Sequence, residues 1–183
     1  SENTKGFLVG RTEIRGEIVM LKSDFDALNK RREAAGEPTF KNPRNLAAGT
    51  IRQLDPRLVA ERPLTFVGYD LLRDDEAEVP TNMFAYETMR ALGVNASPEA
   101  ETFTSIENVM HYVDEWDTKR HELPYITDGL VIKVNDRAHY ANLGVVGKNP
   151  RGAVAYKYAA EQATTIVKDI VISIGRTGAA TPV

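Results

Sequence analysis

Apolar positions recur at helical spacing in several stretches of this chain. The clearest stretch follows Ser105 and contains Ile106, Val109, Met110, Val113 and Trp116. Spacings of three and four residues place these side chains on one face of a helix, and a serine directly before the first of them is a preferred N-cap. The pattern predicts a helix that begins after Ser105 and packs its apolar stripe into the core.

Three more helices are predicted from start and stop signals. Ser23, with an acidic residue three positions later, is typical of an N-terminal capping pattern and predicts a helix that ends at Gly36. A second helix is expected from Phe84 to Leu92, because a glycine follows directly. A shorter helix is expected after a proline, from about Asn45 to Leu54.

Alternating apolar and polar residues predict strands between these helices. Ile14, Ile18 and Met20 would lie on one face of the first strand, and Glu13, Arg15 and Glu17 on the other. Further strands are predicted at Leu64–Leu72, Gly129–Asn135, Ala153–Ala159 and Thr164–Ile174, and the last leads into a glycine-rich turn. Because the elements do not form regular strand–helix–strand units, we expect an α+β fold with largely antiparallel sheets.

Composition narrows the classes of protein to which the chain can belong. The 183 residues are 42% hydrophobic and 27% charged, and no apolar run reaches the roughly 20 residues that span a bilayer. We therefore expect no membrane partner, and cytoplasmic localisation. The chain has no cysteine, and its three histidines have no metal-ligand spacing, so no protein-bound metal site is predicted. A net charge of -3 means that any contact with DNA would depend on a few placed arginines.

Two lysines lie in the middle of predicted strands. Lys133 and Lys157 each lie opposite the aliphatic face of a strand, where an ammonium group is costly to bury without a partner. An isolated strand lysine usually faces water. With Asp128 at the start of one strand and Glu17 on the polar face of another, the two lysines indicate a polar pocket.

Two arginines flank an alanine-rich stretch, NPRNLAAGTIRQLD. Arg44 and Arg52 are eight positions apart, so in a helix they lie within about 80° of each other around the axis. Two guanidinium groups on one side could bind phosphates together. Alternatively, they are two solvated side chains on a surface helix.

Several segments resemble signature segments of bacterial-type NAD-dependent DNA ligases, in order and spacing. They are RGE at 15–17, NPRNLAAGTIRQLD at 42–55, DGLVIKV at 128–134, AVAYKY around Lys157 and GRTGAATPV at 175–183. The DGLVIKV segment alone would also fit ATP-dependent ligases and messenger-RNA capping enzymes. The long NPRN and RQLD segment is the more specific one.

This resemblance implies a nucleotidyltransferase-like adenylation domain at residues 1–163 and the start of an OB-fold domain at 164–183. Members of the family join nicked double-stranded DNA in replication and repair. A lysine takes AMP from NAD with the help of Mg2+, AMP passes to the DNA 5′-phosphate, and the 3′-hydroxyl then displaces it.

The resemblance also implies roles for individual residues. Glu17 would bind the ribose, Tyr69 would stack on the adenine, Val131 would pack on its other face, and Lys133 would meet its edge. Lys157 would contact the AMP phosphate, and Asp128 would serve the phosphate and magnesium side, so these two are the expected catalytic residues. Arg44, Arg52 and Arg120 would contact DNA near the nick.

The family's nucleophilic lysine lies in a K-x-D-G segment, which these 183 residues do not contain. The string that begins at Lys22 lacks the glycine and follows Glu17, so we interpret it as part of a helix start. We expect the chain to be part of a longer ligase, to form part of the adenylate pocket, and to be unable to adenylate itself. The alternative is a noncatalytic nucleotide- or DNA-binding module derived from a ligase.

Overall fold

The computed structural model describes residues 9–159 and 164–182. Six α-helices and eight strands are present in these ranges. The helices are α1 (Lys22–Ala34), α2 (Pro43–Ile51), α3 (Pro56–Ala60), α4 (Asn82–Ala91), α5 (Ile106–Lys119) and α6 (Arg137–Asn142). The strands are β1 (Thr12–Val19), β2 (Thr65–Arg73), β3 (Gly129–Lys133), β4 (Val145–Val146), β5 (Asn149–Pro150), β6 (Ala153–Lys157), β7 (Ile172–Ile174) and β8 (Ala180–Pro182).

The strands form four two-stranded antiparallel sheets, β1–β2, β3–β6, β4–β5 and β7–β8. The mixture of helices and antiparallel strand pairs confirms the predicted α+β class. The predicted domain boundary at residue 163 lies outside the described residues.

Two clusters of buried side chains form the core, one around α4 and one around α2. In the first, Leu71 of β2 and Met89 of α4 have no exposed surface. In the second, Met20 packs with Leu46 and Ala47 of α2. Burial of a single large aliphatic side chain contributes about 1.5 to 3 kcal/mol, so these contacts fix α2 and α4 relative to the β1–β2 sheet.

Two strands are anchored by a buried arginine near the end of β2. The Arg73 side chain is only 4% exposed and forms an ion pair with Glu78 at 2.5 Å. Its guanidinium also donates to the Thr12 hydroxyl at 2.6 Å and to the Arg11 carbonyl at 3.1 Å. These bonds hold the start of β1 against the end of β2.

The helix predictions are confirmed for α4 and α5 and differ at α1 and α2. Ser23 does not cap α1: the helix begins at Lys22, its N-cap is Leu21, and no side chain caps it. The Lys22 amide instead donates to the Pro124 carbonyl at 2.7 Å. α2 begins earlier than predicted, because Asn42 caps it and a proline occupies its first turn, and it ends at Ile51.

The predicted core stripe of α5 is only partly buried. Val113 and Trp116 are 1% and 5% exposed, as expected for core residues, but Ile106 and Met110 are 63% and 46% exposed. Ile106 and Met110 therefore face solvent, whereas Val109 between them is half-buried. Similarly, Ile18 on the predicted apolar face of β1 is 39% exposed.

The predicted strand from Thr164 to Ile174 is wrong over most of its length. Only Ile172–Ile174 forms a strand, β7, which pairs with β8 across a turn containing Gly178. Gly178 has a φ of 81°, a conformation that favours glycine. The glycine-rich end of the chain therefore forms the predicted turn, and residues 164–171 have no regular structure.

Candidate adenylate site

A cavity of about 860 Å³ is lined by residues from both of the longer sheets. Its lining includes all five residues predicted to bind the nucleotide, one predicted to serve the phosphate and magnesium side, and one predicted to contact DNA. These are Glu17, Tyr69, Val131, Lys133 and Lys157, with Arg44 and Asp128. Side chains that are up to 140 positions apart in sequence, between Glu17 and Lys157, thus surround one space.

The register of the β3–β6 pair places both lysines on one face. Gly129 is opposite Lys157, and Lys133 is opposite Ala153. Directly opposed residues point to the same side of a sheet, and side chains repeat on that side every two residues, so Val131 also lies there. Four residues along a strand span about 13 Å, which separates the backbone positions of the two lysines along the cavity wall.

A β-bulge sets the position of Tyr69. Arg15 pairs with Asp70 and Gly16 pairs with Gly68, so Tyr69 is the extra residue of β2. A bulge turns the side chain of the extra residue away from the regular ladder. Tyr69 is 46% exposed, and its ring centroid lies 5.9 Å from the Lys133 ammonium, at the outer range of a cation–π contact.

Burial dominates the electrostatics of Lys133. Desolvation lowers the pKa of its ammonium group below the ordinary value, the nearby Asp70 carboxylate raises it, and the Arg137 guanidinium lowers it. An ammonium group that is partly desolvated gains more from an additional acceptor than one in water. Lys133 is therefore suited to donate to a polar group of a ligand in the cavity.

Arg44 and Asp128 form an ion pair at the cavity wall. Asn42 caps α2 by accepting from the Arg44 and Asn45 amides at 2.8 and 3.1 Å, which fixes the first turn that carries Arg44. The side chains of Arg44 and Asp128 are 66% and 54% exposed. Exposed pairs contribute only about 0 to 1 kcal/mol, so a ligand phosphate can compete for the arginine.

The other two predicted DNA-binding arginines lie outside the cavity lining. Arg52 is exposed and directly follows α2. Arg120 stacks on the Tyr158 ring at 4.6 Å, donates to the Asp117 carbonyl at 3.2 Å, and has a side chain that is 17% exposed. Arg44 and Arg52 are thus open to a phosphate, whereas Arg120 presents only part of its guanidinium.

Sequence reasoning missed two groups of residues at this site. Asp70 and Arg137 lie close to Lys133. The only sequence signal for this pair is Asp70 itself, a charged residue within the largely apolar strand β2. Aromatic side chains from outside the motifs also line the cavity: Tyr86, Phe103, Tyr112, Trp116 and Tyr125. The helical pattern predicts core packing alone for Trp116, which is both buried and part of the cavity wall.

Metal-binding clusters and membrane-spanning helices are absent from the described part of the chain. Within residues 9–159 and 164–182, no three acidic or histidine side chains are close enough together to hold a metal ion. Over the same residues, no helix combines the length and apolar character needed to cross a bilayer.

Comparison with known proteins places the chain in a family. A model of the NAD-dependent DNA ligase adenylation domain matches residues 3–161. The DNA ligase of Desulfitobacterium hafniense (strain DSM 10664 / DCB-2) is 48% identical over 172 residues, which cover 94% of this chain and 26% of that protein. The DNA ligase of Halothermothrix orenii is 49% identical over 172 residues, covering 93% and 25%.

The DNA ligase of Carboxydothermus hydrogenoformans is 47% identical over 170 residues, covering 93% of this chain and 26% of that protein. The chain thus spans about a quarter of the length of the curated relatives that it matches. The family match extends over both sheets of the cavity and every residue that lines it. The chain belongs to the NAD-dependent DNA ligase adenylation domain family.

Proposed function

We propose that the full-length protein seals nicks in double-stranded DNA, with NAD as its AMP donor, and that this chain forms part of its adenylate pocket. The observation that carries the proposal is the convergence of Glu17, Tyr69, Val131, Lys133 and Lys157 on one cavity. A cavity of about 860 Å³ is within the usual range for small-molecule sites. Aromatic, aliphatic and cationic side chains together match the base, ribose and phosphate of AMP.

In the proposed pose, the base lies between Tyr69 and Val131, and its edge meets Lys133. Glu17 accepts from the ribose hydroxyls, since its carboxylate is an acceptor in the ionised form. Lys157 lies farther along the β3–β6 face and donates to the AMP phosphate. The separation of the two lysines along the strands supports this division between base and phosphate.

Asp128 lies at the phosphate end of the pose, where it pairs with Arg44. Mg2+ is usually held in nucleotide sites by one or two carboxylates plus substrate phosphates and water, and a single placed carboxylate fits that donor set. When bound there, the ion would neutralise charge on the phosphate. Asp128 would orient it and Lys157 would hold the adjacent phosphate oxygen.

Residues 164–183 are proposed to begin a second domain, of OB-fold type. The match to the adenylation family ends at residue 161, near the predicted boundary. Beyond it, Ile166, Val167, Ile170 and Val171 are each more than 60% exposed. Exposed aliphatic side chains in such a run are typical of a surface that packs against further structure.

The proposal is tested by nick sealing and by covalent labelling of the full-length protein. With NAD but not ATP, it should join a nicked duplex and acquire label from adenine-labelled NAD. Lys157→Ala should slow enzyme–AMP formation about 10- to 150-fold, because a charge-assisted hydrogen bond contributes about 1.5 to 3 kcal/mol. Lys30→Ala is the control, since Lys30 is exposed on α1 and outside the cavity.

Equal labelling of the Lys157→Ala variant and the unmodified protein would contradict the role of Lys157. A full-length protein that binds the nicked duplex but neither seals it nor takes up label would instead be a noncatalytic module.

Binding of DNA is expected to depend on Arg44, Arg52 and Arg120. Local arginine density determines phosphate contact even when the net charge is negative. In the full-length protein, each Arg→Ala change should weaken binding to nicked duplex and reduce the slope of log affinity against log salt by about one. Fluorescence anisotropy over a range of salt concentrations measures both quantities.

Arg57→Ala serves as the control, because the Arg57 side chain is 88% exposed and is not one of the three arginines proposed to contact DNA. The Arg120 variant also requires a thermal melt, since Arg120 stacks on Tyr158 and its loss should reduce stability as well. Unchanged affinity and unchanged slope in all three variants would exclude this DNA-binding surface.

A further inference from the structure

A partly buried ion pair close to Lys133 joins β2 to α6. The Arg137 guanidinium donates from Nη2 to Asp70 Oδ1 and from Nη1 to the Leu71 carbonyl at 2.8 Å. The two charged side chains are 20% and 24% exposed. The pair is therefore more shielded than the Arg44–Asp128 pair, and its geometry is less easily lost to solvent.

The Asp70 carboxylate is held from a second direction. Its Oδ1 also accepts from the Leu71 amide at 2.9 Å. Arg137 is itself fixed, because it begins α6 and its amide donates to the Pro80 carbonyl at 3.0 Å. The direction of the carboxylate is thus set by the backbone of β2 and by α6, and it does not depend on Lys133.

The end of β3 is attached to the same region. The Asn82 side chain donates to the Val134 carbonyl at 2.8 Å, and the Met83 amide donates to the Asn135 side chain at 3.0 Å. These bonds fix the backbone just after Lys133 against the start of α4. Lys133, Asp70 and Arg137 therefore lie on three elements, β3, β2 and α6, which these hydrogen bonds connect.

Lys133 lies within electrostatic range of the carboxylate that Arg137 binds, since its ammonium group is 5.9 Å from the ring of Tyr69, the residue before Asp70. Asp70 favours the charged form of Lys133, whereas burial and Arg137 oppose it. The other titratable groups around the cluster are Tyr69 on β2, Tyr86 on α4, and Arg15 and Glu17 on β1. Arg15 is directly opposite Asp70 but is paired with Glu13 at 2.8 Å, so it competes weakly for the Asp70 carboxylate.

We propose that Asp70 and Arg137 are positioning residues for Lys133. The negative charge of Asp70 attracts the Lys133 ammonium group, and Arg137 fixes Asp70 while limiting how strongly that carboxylate retains the lysine. Lys133 is thereby left able to donate to a ligand. The inference rests on the proposed function, in which Lys133 meets the edge of the adenine.

Substitutions at the two positions are expected to shift the titration of Lys133 in opposite directions. A purely structural role does not predict this. Asp70→Asn removes the attracting charge and leaves Arg137 to repel Lys133, so Lys133 should lose its proton at lower pH than in the unmodified protein. Arg137→Gln removes the repulsion, so Lys133 should keep its proton to higher pH. A structural defect would change both variants in the same direction, or change neither.

The titration of Lys133 can be measured directly in the full-length protein by competitive labelling with trace acetic anhydride. Mass spectrometry of the labelled peptides then gives the reactivity of each lysine at each pH, and the exposed Lys30 is an internal reference. AMP affinity is measured over the same pH range. At alkaline pH, Asp70→Asn should weaken AMP binding about tenfold. Arg137→Lys keeps the positive charge, so it should shift the Lys133 titration less than Arg137→Gln does.

Opposite shifts of the Lys133 titration, with Lys30 unchanged, would support the inference. Shifts in the same direction, or no shift in either variant, would overturn it. If the titrations shift in opposite directions and the unmodified protein does not bind AMP, the electrostatic roles of Asp70 and Arg137 stand while the proposed adenylate site fails.

Discussion

Replacing Gly129 with alanine is expected to separate β3 from β6 and to reduce enzyme–AMP formation by the full-length protein about 100-fold. A Cβ at this position would lie 2.0 Å from the Tyr156 carbonyl oxygen and 2.9 Å from the Lys157 Cα. Both contacts are to backbone atoms, so no side-chain rotation can relieve them. The strands must shift apart where Gly129 is opposite Lys157.

The large effect follows from the residues adjacent to the contact. Asp128 precedes Gly129, and the Asp128 carbonyl accepts from the Tyr158 amide at 3.1 Å, which continues the pairing of the two strands. A shift of about 1 Å in the groups that orient a substrate can cost about 100-fold in rate. We also expect the free energy of unfolding to fall by about 3 kcal/mol, as for other overpacked sites.

Gly49→Ala is the matched control for this substitution. Gly49 lies within α2, and a Cβ there would meet no atom within 4 Å. Alanine in a helix interior is favoured over glycine by about 0.5 to 1 kcal/mol, so this variant should be slightly more stable and equally active. Chemical denaturation and the labelling assay would measure both variants, and wild-type rates in Gly129→Ala would refute the steric argument.

Helix α5 could be predicted from the sequence because its signals are local. The Ser105 hydroxyl accepts from the Asn108 amide at 3.3 Å, as the capping pattern implied. The start of α1 could not be predicted in this way, since the amide of Lys22 is satisfied by Pro124, about a hundred positions away. A local pattern cannot identify a hydrogen-bond partner that only the tertiary fold supplies.

Strand prediction failed where the described residues provide no partner strand. The run from Thr164 to Ile174 has a composition suited to a strand, but β7 includes only its last three residues, which are those that pair with β8. Strand conformation depends on a neighbour that accepts and donates backbone hydrogen bonds. The same holds for apolar helix faces: Ile106 and Met110 lie on the predicted apolar stripe of α5 but remain exposed, because an apolar pattern does not supply the structure that would cover it.

The candidate site was predictable in part. Period-two alternation correctly placed Val131 and Lys133 on one face of β3, and the register of β6 adds Lys157 to that face. The bulge at Tyr69 and the Asp70–Arg137 pair were beyond this reasoning. One depends on a register shift between strands, and the other joins residues 67 positions apart.

The isolated 183-residue chain is expected not to acquire covalent AMP from NAD. Transfer requires an amine held about 3 to 3.5 Å from the α-phosphorus and opposite the leaving group. No K-x-D-G segment occurs in the 183 residues, so the family's nucleophile is not among them. Incubation with adenine-labelled NAD and Mg2+, followed by separation under alkaline denaturing conditions that preserve a phosphoramidate, should show no labelled chain.

The two cavity lysines are the groups that could replace the nucleophile, and their geometry is unsuited to that role. Lys133 lies beside the Tyr69 ring, at the proposed base end of the cavity. Lys157 is fixed opposite Gly129 on the wall that carries Val131, so in the proposed pose it approaches the phosphate from the side. A side approach stabilises charge on the phosphate oxygens but does not place the amine in line with the bond that breaks.

The full-length protein is the positive control for this experiment, because it should take up label under the same conditions. The Lys157→Ala and Lys133→Ala variants of the isolated chain locate any label that does appear. Stoichiometric label that disappears in one of these variants would identify that lysine as a nucleophile and refute its assignment to binding alone. Label that persists in both variants would show that neither lysine alone is the acceptor. In either case an amine would have to lie opposite the leaving group, because an amine beside the phosphate cannot displace a group that it does not face. The proposed placement of AMP in the cavity would then be wrong.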